Sequence, residues 1–258
     1  MIGVSIPVTV LAGEIRIGGT GNALGTIRLL GEAYSKSHPD SKVTVLPSIG
    51  TSGAIKAAAK GSIEIGLSSR TLTNEEIRTG LTTIEYAASP TVFAVQAKNK
   101  TTSLSLTQIA DIFSGKITTW PDGTAIRPVL RQPGDDNTRQ IKGLSADIEK
   151  SLAIAEQRPG TAFAVTDQEA AEKIETIQGG LGVTTVALIL SERRDLRALA
   201  INNVEPTAQN AISGRYPMLK RFYFVLPKEI PSATQRFVEF VKSSQGRKIL
   251  EQYGHAIP

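Results

Sequence analysis

The chain is poor in the residues that carry most catalytic and cross-linking chemistry. Its 258 residues contain no cysteine, which excludes disulfide frameworks, thiolate metal sites and cysteine nucleophiles. Only two histidines are present, His38 and His255, so imidazole chemistry has few places to occur, and we expect both side chains to be exposed to solvent. Aromatic residues make up 5% of the chain and no basic run exceeds two residues, so nucleic acid is not an expected partner.

Long apolar runs are also missing. No uninterrupted hydrophobic stretch is long enough to span a bilayer. Hydrophobic residues still make up 40% of the sequence, enough to bury the core of one large domain or of two lobes. The formal net charge of +5 suits an anionic ligand or surface. The uncharged segment Met1–Ala12 has two interpretations, the remnant of a trimmed export signal or an ordinary N-terminal strand.

Short β-branched runs alternate with helical stretches, the pattern of βαβ units that build a sheet flanked by helices. The sequences at Thr73–Glu76 and Ser105–Gln108 have the form of capping boxes, and Gly115 is placed to end the second of these helices. These signals indicate an α/β protein of two lobes joined by extended crossover strands. Strands are predicted at Ile15–Ile17, Val43–Leu46, Ile63–Leu67, Ser89–Val95, Val183–Leu190 and Arg221–Leu226.

Three short polar loops lie where a predicted strand is followed by a predicted helix: Gly18–Asn22, Gly50–Gly53 and Ser68–Arg70. Ligands of α/β folds bind in the crevice beyond the carboxyl ends of the strands, so the N–H groups and hydroxyls of these loops can converge on a small anion. Arg70 and a fourth loop, Arg131–Arg139, add guanidinium groups suited to a tetrahedral oxyanion. Taken singly, each loop is equally typical of a helix N-cap.

An enzymatic interpretation has weaker support. The turn Gly19–Gly25 resembles a dinucleotide-binding turn, but no acidic ribose partner follows Val43–Leu46. Asp135 and Asp136 fit either a carboxylate pair for acid/base or cation chemistry or a turn that caps a helix. We therefore predict no catalytic residue, no metal site and no cofactor.

Longer segments resemble the phosphate-binding solute receptors of bacterial ABC phosphate transporters. The resemblance runs nearly end to end, and its most specific parts are Ile112–Trp120 and Tyr216–Tyr223. It implies the two-lobed type II periplasmic-binding-protein fold, in which each lobe is a mixed sheet flanked by helices and the ligand lies in the cleft between lobes. The implied lobes are residues 14–93 with 222–258, and residues 94–221 inserted between them through two crossover strands.

The resemblance also implies the residues that bind the ligand. The loop after the first strand would contact it through backbone and side-chain donors, and the loop at Thr51 would form the helix-terminus part of the site. Arg131 falls where a family arginine pairs with the anion, and Ser69 with Arg70 takes the place of either an acidic acceptor or a Ser-Arg pair. The implied ligand-binding residues are Thr20, Gly21, Asn22, Thr51, Ser52, Gly53, Ser69, Arg70, Arg131, Asp136, Asn137 and Thr138.

The chain departs from the family in the loop after Arg131. A Ser-Gly-Thr triplet is usual there, whereas this chain has Asp135 and Asp136 in place of a hydroxyl donor. A carboxylate aimed at a dianion in a cleft of low dielectric is unfavourable unless one of the two carries a proton. Three explanations stay open: the carboxylate accepts a hydrogen bond from a protonated phosphate oxygen, it caps the helix while Asn137 and Thr138 donate, or the ligand differs.

The sequence thus predicts a non-enzymatic receptor, periplasmic or at the cell surface, that acts as a monomer. It would capture a small oxyanion, with inorganic phosphate the expected ligand, by lobe closure and deliver it to the permease subunits of an ABC transporter. Two alternatives are a nicotinamide-dependent oxidoreductase built on the glycine turn, and a sensing or adhesive module that has kept the receptor fold with a changed ligand.

Overall fold

The computed structural model describes residues 13–258, so the export-signal prediction for Met1–Ala12 lies outside the described residues. None of the helices in that range is both long enough and apolar enough to cross a membrane. The strands are β1 (Gly13–Gly19), β2 (Ser41–Val45), β3 (Ile65–Ser68), β4 (Leu81–Gln96), β5 (Ser103–Leu104), β6 (Arg127–Arg131), β7 (Ala162–Ala164), β8 (Gly180–Thr185), β9 (Leu196–Ala198), β10 (Ala200–Ile201) and β11 (Leu219–Pro227). The helices are α1 (Gly21–Ser37), α2 (Gly50–Ala59), α3 (Asn74–Arg78), α4 (Leu106–Ser114), α5 (Asp136–Lys142), α6 (Ala146–Gln157), α7 (Asp167–Thr176), α8 (Val186–Ser191), α9 (Ala208–Ile212), α10 (Ser232–Lys242) and α11 (Ser244–Gln252).

Both predicted capping boxes form. The Thr73 hydroxyl accepts from the Glu76 amide while the Glu76 carboxylate accepts from the Thr73 amide, and Ser105 and Gln108 make the same pair of bonds at the start of α4. Gly115 ends α4 in the left-handed conformation with φ 85°, a geometry that glycine adopts without a Cβ penalty. Local sequence therefore determines where these helices begin and end.

One mixed sheet runs through the molecule in the order β2-β1-β3-β11-β4-β8-β6-β7, and β9 also pairs with β4. The pairs at the two ends are parallel, whereas β11 is antiparallel to both β3 and β4, and β4 is antiparallel to β8. Because β1, β2 and β3 are parallel, their carboxyl ends meet at one edge, and so do those of β6 and β7. The long strand β4 joins the two groups of parallel strands, because it pairs with β11 on one side and with β8 on the other.

The buried apolar residues form two large clusters. The terminal cluster combines residues between Ile15 and Ala87 with residues between Phe222 and Leu250, and the central cluster uses residues between Val92 and Met218. Trp120 is buried in the central cluster, as a packing residue should be. Two cores in one mixed α/β chain match the predicted two-lobed class, while the exact lobe boundaries, 14–93 with 222–258 and 94–221, stay a prediction.

The strand predicted at Val183–Leu190 is wrong in its second half. The strand β8 ends at Thr185, and the residues after it form α8. The Thr185 hydroxyl accepts from the Leu188 amide and so supplies the N-cap of that helix. A short aliphatic run fits a buried strand and a buried helix equally, and here the capping threonine decides between them.

The prediction that both histidines are solvent-exposed is also wrong. His255 is 3% exposed, its Nε2 lies 3.0 Å from Thr26 Oγ1, and its ring packs edge-on against Phe222. This burial lowers the pKa of His255 to about 3. The C-terminal residues return to the sheet, where Ala256 pairs with Ala88, and this long-range contact has no local sequence signal. His38 is half-buried and stacks on Tyr34.

Candidate functional site

A cleft of about 400 Å³ lies where the loops after β1, β2 and β3 face the loops after β6 and β7. We call residues 18–22, 48–53 and 68–70 the β1–β3 side, and residues 131–139 and 165–168 the β6–β7 side. Polar atoms from both sides line the cleft, and the crossover strand β11 adds Lys220 between them.

On the β1–β3 side, two helices begin at the cleft without a side-chain cap. Thr20 and Ile49 occupy the N-cap positions of α1 and α2, neither makes a side-chain capping bond, and neither helix has an acidic residue in its first turn. Gly50 has φ 66°, which lets the chain turn sharply into α2. The N–H groups and the positive end of the helix dipole at the start of α2 favour a negative charge at this position, whereas the start of α1 already has the Asp167 carboxylate as its acceptor.

Hydroxyl groups connect the loops of this side. Thr51 Oγ1 accepts from the Ser69 amide at 3.0 Å and lies 3.1 Å from Ser69 Oγ, so it ties the start of α2 to the loop after β3. Arg70 also lines the cleft, but its two terminal nitrogens donate to the two Glu76 oxygens at 2.7 and 2.8 Å. Hydrogen bonding from Arg70 lowers the pKa of Glu76 to about 2. The charge of Arg70 is therefore already matched.

Arg131 is the most buried cation of the β6–β7 side, with its side chain 9% exposed. Its Nη2 lies 2.8 Å from Asp135 Oδ2 and 3.6 Å from Asp167 Oδ1. Burial alone would lower the pKa of Arg131, but the carboxylates of Asp167 and Asp135 raise it. Its Nε and Nη1 have no hydrogen-bond partner among residues 13–258. Buried donors without partners are costly, so this guanidinium is suited to an anionic acceptor.

The loop after Arg131 does not supply the hydroxyl donors that the family pattern led us to expect. Asp135 caps α5 by accepting from the Asn137 amide at 2.9 Å. The Thr138 hydroxyl donates to backbone oxygens within its own loop, and the fully buried Asn137 amide group donates to Asp167 Oδ1 at 3.4 Å. Among the three explanations left open by the sequence, helix capping describes the geometry of Asp135.

Lys220 was not among the predicted site residues. Its ammonium is 2% exposed and lies 2.5 Å from Asp136 Oδ2. Burial alone would raise the pKa of Asp136, but the charge and hydrogen bond of Lys220 hold it below its usual range. A sequence signal did exist: on a strand, Lys220 lies in phase with the buried Phe222 and Phe224 and therefore on the inward face.

Asp167 was also missed. Its carboxylate accepts from the Asn22 amide at 3.0 Å and from Thr20 Oγ1 at 3.5 Å, so it reaches from α7 to the start of α1. Asp167 is the first residue after Thr166, the N-cap of α7, and an acidic side chain is common at that position for helix reasons alone. Asp167 and Gln168, which donates to the Gly21 carbonyl at 2.9 Å, join the two sides of the cleft.

The predicted site residues divide into two groups. The members that line the cleft are Thr20, Thr51, Ser52, Ser69, Arg70, Arg131 and Asp136. The members that lie outside its lining are Gly21, Asn22, Gly53, Asn137 and Thr138. The glycine turn is filled by protein, since a Cβ at Gly21 would lie 2.4 Å from Gln168 Oε1 and one at Gly25 would lie 2.3 Å from Ser191 Oγ. This packing explains the glycines without a bound dinucleotide.

The cleft as a whole combines converging N–H and hydroxyl donors with cations and carboxylates. Within residues 13–258 no group of three or more histidine, aspartate or glutamate side chains is arranged to hold a metal ion. Chemically, the donor set can hold a small oxyanion by hydrogen bonds and by charge.

Comparison with known proteins identifies a matching family model and similar sequences. The sequence model described as the PBP superfamily domain matches residues 8–245. The phosphate-binding protein PstS of Borreliella burgdorferi is 27% identical over 230 residues, which cover 86% of this chain and 81% of that protein. PstS 2 of Streptococcus pneumoniae is 34% identical over 110 residues, a match that spans 43% of this chain and 37% of the relative.

Among solved structures, a phosphate ABC transporter substrate-binding protein from Clostridium perfringens, with phosphate bound, aligns with a TM-score of 0.78 at 24% identity. The alignment covers 95% of this chain and all of that one. A structural match at 24% identity shows the fold, and this fold agrees with the mixed sheet and the two apolar clusters described above. Since the family match spans nearly the whole sequence, this chain belongs to the PBP superfamily and has its two-lobed type II fold.

Proposed function

We propose that the protein is an extracytoplasmic receptor that captures inorganic phosphate between its lobes and delivers it to an ABC permease. The observation that carries this proposal is the convergence of two groups on one cleft. They are Arg131, two of whose buried nitrogens lack a partner among residues 13–258, and the start of α2, which has no side-chain cap. A guanidinium and a helix N-terminus are complementary to a tetrahedral oxyanion. The relatives named for phosphate binding support the choice of anion.

Binding follows from the donors on both sides of the cleft. The backbone amides at the start of α2, with the hydroxyls of Thr51, Ser52 and Ser69, would donate to the anion from the β1–β3 side. Arg131 would donate from the β6–β7 side. Because each side supplies part of the set, the anion favours the closed arrangement of the lobes. We assign the lobes to residues 14–93 with 222–258 and residues 94–221, so that β4 and β11 carry the motion.

The proposed role is transport, not catalysis. The carboxylates of the cleft are engaged with Arg131, Lys220 and the start of α1, so they serve pairing and capping instead of acid/base chemistry. The protein would act as a monomer at the outer face of the cytoplasmic membrane, either in the periplasm or on the cell surface. Neither a cofactor nor nucleic acid takes part in this function.

Calorimetric titration with phosphate, sulfate, molybdate and an alkylphosphonate tests the ligand. We expect saturable 1:1 heat with phosphate and at least tenfold weaker binding of the other anions. Absence of heat with every tetrahedral oxyanion would contradict receptor function for this class of ligand. Stronger binding of a phosphonate or of molybdate would retain the receptor and change its cargo, the outcome that the sensing alternative predicts.

A further inference from the structure

Lys220 and Asp136 form an ion pair at the cleft, in which the lysine is buried and the aspartate is partly exposed. Lys220 lies on β11, which runs between β3 and β4 at the middle of the sheet, and Asp136 is the first residue of α5. The pair therefore links the crossover strand to the β6–β7 side. Gln140 donates a further hydrogen bond to Asp136 Oδ2 at 3.0 Å, and Arg139 Nη2 lies 3.5 Å from Asp136 Oδ1.

The position of Asp136 is unfavourable for anion binding if its charge stands alone. It lines the same cleft as Arg131, the cation that the proposed function assigns to the anion. Two negative charges in a site of low dielectric repel each other strongly. The neighbouring carboxylate, Asp135, is matched by Arg131 at 2.8 Å. Asp136 needs a cation of its own, and the nearest ammonium is that of Lys220.

The environment of Lys220 indicates that this pairing is its role. A lysine that is 2% exposed loses nearly all of its hydration, a cost that is offset only by close pairing. The next residue on the strand, Arg221, points the other way and pairs with Glu85 in a half-exposed bridge. The two adjacent cations of β11 therefore lie on opposite faces of the strand, and only Lys220 reaches the cleft.

We infer that Lys220 is a positioning residue that neutralises Asp136 and holds it in place, so that the cleft can hold an anion beside this carboxylate. This inference rests on the proposed function and identifies how the cleft tolerates the acidic residues of the loop after Arg131. Lys220 acts through Asp136 and makes no contact with the anion itself.

A double-mutant cycle with phosphate titration tests the inference. Lys220→Met leaves Asp136 with only the exposed Arg139 and the Gln140 amide as partners, and we expect phosphate affinity to fall at least tenfold. In an Asp136→Asn background, the same lysine change should alter affinity less than threefold, because no charge remains to be neutralised. A tenfold loss in both backgrounds would show that Lys220 contacts the anion, and no loss in the wild-type background would remove its role; either result overturns the inference.

The pH dependence separates this electrostatic role from a structural one. The charged and polar groups facing Asp136 are Lys220 from β11, Arg139 and Gln140 from α5, and the Arg131–Asp135 pair beside it. In Lys220→Met, protonation of Asp136 should restore affinity, so the loss relative to wild type at the same pH should shrink between pH 8 and pH 5. A loss that is constant over this range indicates a structural effect and counts against the inference.

The inference can be judged without any ligand. Carboxyl NMR titration of the ligand-free protein, with Asp136→Asn used for assignment, should give an Asp136 pKa at least one pH unit higher in Lys220→Met than in wild type. An unchanged Asp136 pKa overturns the inference even if phosphate binds. If the wild-type protein bound no oxyanion, the proposed function would be wrong, but this titration would still decide whether Lys220 neutralises Asp136. Arg221→Met is the matched control on the same strand, and thermal unfolding confirms that each variant is folded.

Discussion

The two sides of the cleft present their helices to it in opposite ways. On the β1–β3 side, α1 and α2 begin without side-chain caps or acidic residues in their first turns. On the β6–β7 side, α5 is capped by Asp135, α7 is capped by Thr166, and both have acidic first residues. The first side offers the open start of α2, since the start of α1 already donates to Asp167, whereas the second side offers a guanidinium among carboxylates. Affinity on the second side therefore depends on how its charges are paired.

The largest expected effect comes from the only buried cation of the β6–β7 side loops in the described chain. Arg131→Ala removes the guanidinium, and we expect phosphate affinity to fall about a hundredfold, or about 2.7 kcal/mol. Arg127→Ala, at an exposed position four residues earlier on β6, is the matched control and should leave affinity unchanged. Calorimetry gives both values. Wild-type affinity in Arg131→Ala would mean that the anion is held by the β1–β3 side alone.

Acid should act on the β1–β3 side through His255, which supports α1 by its contact with Thr26. The folded pKa is about 3 and the unfolded value about 6.5, so only the unfolded chain gains a proton between them. The contribution of neutral His255 to the free energy of unfolding is therefore fully present above pH 6.5. It decreases as the pH falls, and about 2 kcal/mol of it is lost at pH 5. Denaturant unfolding at pH 7 and pH 5 measures this loss.

His255→Asn cannot titrate, so its loss between pH 7 and pH 5 should be smaller than that of wild type. His38→Asn, at the half-buried histidine, is the control and should keep the full loss. An equal pH dependence in wild type and His255→Asn would mean that other groups are responsible.

A smaller effect is expected from the hydroxyl that ties α2 to the loop after β3. Thr51→Ala removes one candidate donor and the acceptor of the Ser69 amide, and we expect affinity to fall more than tenfold. Thr51→Ser keeps the hydroxyl and should bind within threefold of wild type. Exposed Thr71 provides the control substitution Thr71→Ala. Unchanged titration of Thr51→Ala would remove this residue from the site.

The smallest expected effect is a gain. Asp135→Ser keeps an N-cap for α5 but removes a carboxylate paired with Arg131, which would make the β6–β7 side more like the other. We expect phosphate to bind about threefold more tightly, because Asp167 is then the one carboxylate among the described residues still paired with the guanidinium. Asp147→Ser, at an exposed position in the first turn of α6, should have no effect. Weaker binding by Asp135→Ser would instead show that Asp135 helps to hold the anion.

Local signals predicted much of the fold. The capping boxes at Thr73 and Ser105 and the left-handed Gly115 depend on bonds within four residues, so the sequence contains the whole interaction. The run Val183–Leu190 was assigned wrongly because aliphatic residues suit both strand and helix, and only the hydroxyl of Thr185 marks the change. The burial of His255 depends on α1, far away in the chain, and no local pattern encodes it.

The sequence located cleft residues most accurately where a polar loop directly follows a strand. Thr51, Ser69 and Arg131 line the cleft because parallel strands end at one edge. Asp167 was missed because its partners on α1 are 145 or more residues away. In the sequence, Lys220 is one of two adjacent basic residues with Arg221, and its alternation in phase with Phe222 places it on the inward face of the strand. The alternation of residues along a strand can thus identify a buried charge from sequence. Contacts between the two sides of the cleft can be identified only from the three-dimensional structure.

The two apolar clusters also differ in how the chain assembles them. The central cluster uses one continuous stretch, from Val92 to Met218, whereas the terminal cluster needs residues from both ends. During synthesis all residues of the central cluster emerge before β11 is made, but β3 still lacks the antiparallel partner that β11 provides. An unpaired strand edge is a template for association with other chains. The synthesis of β11 therefore sets the moment at which a growing chain stops exposing the edges of β3 and β4 that face each other across the gap.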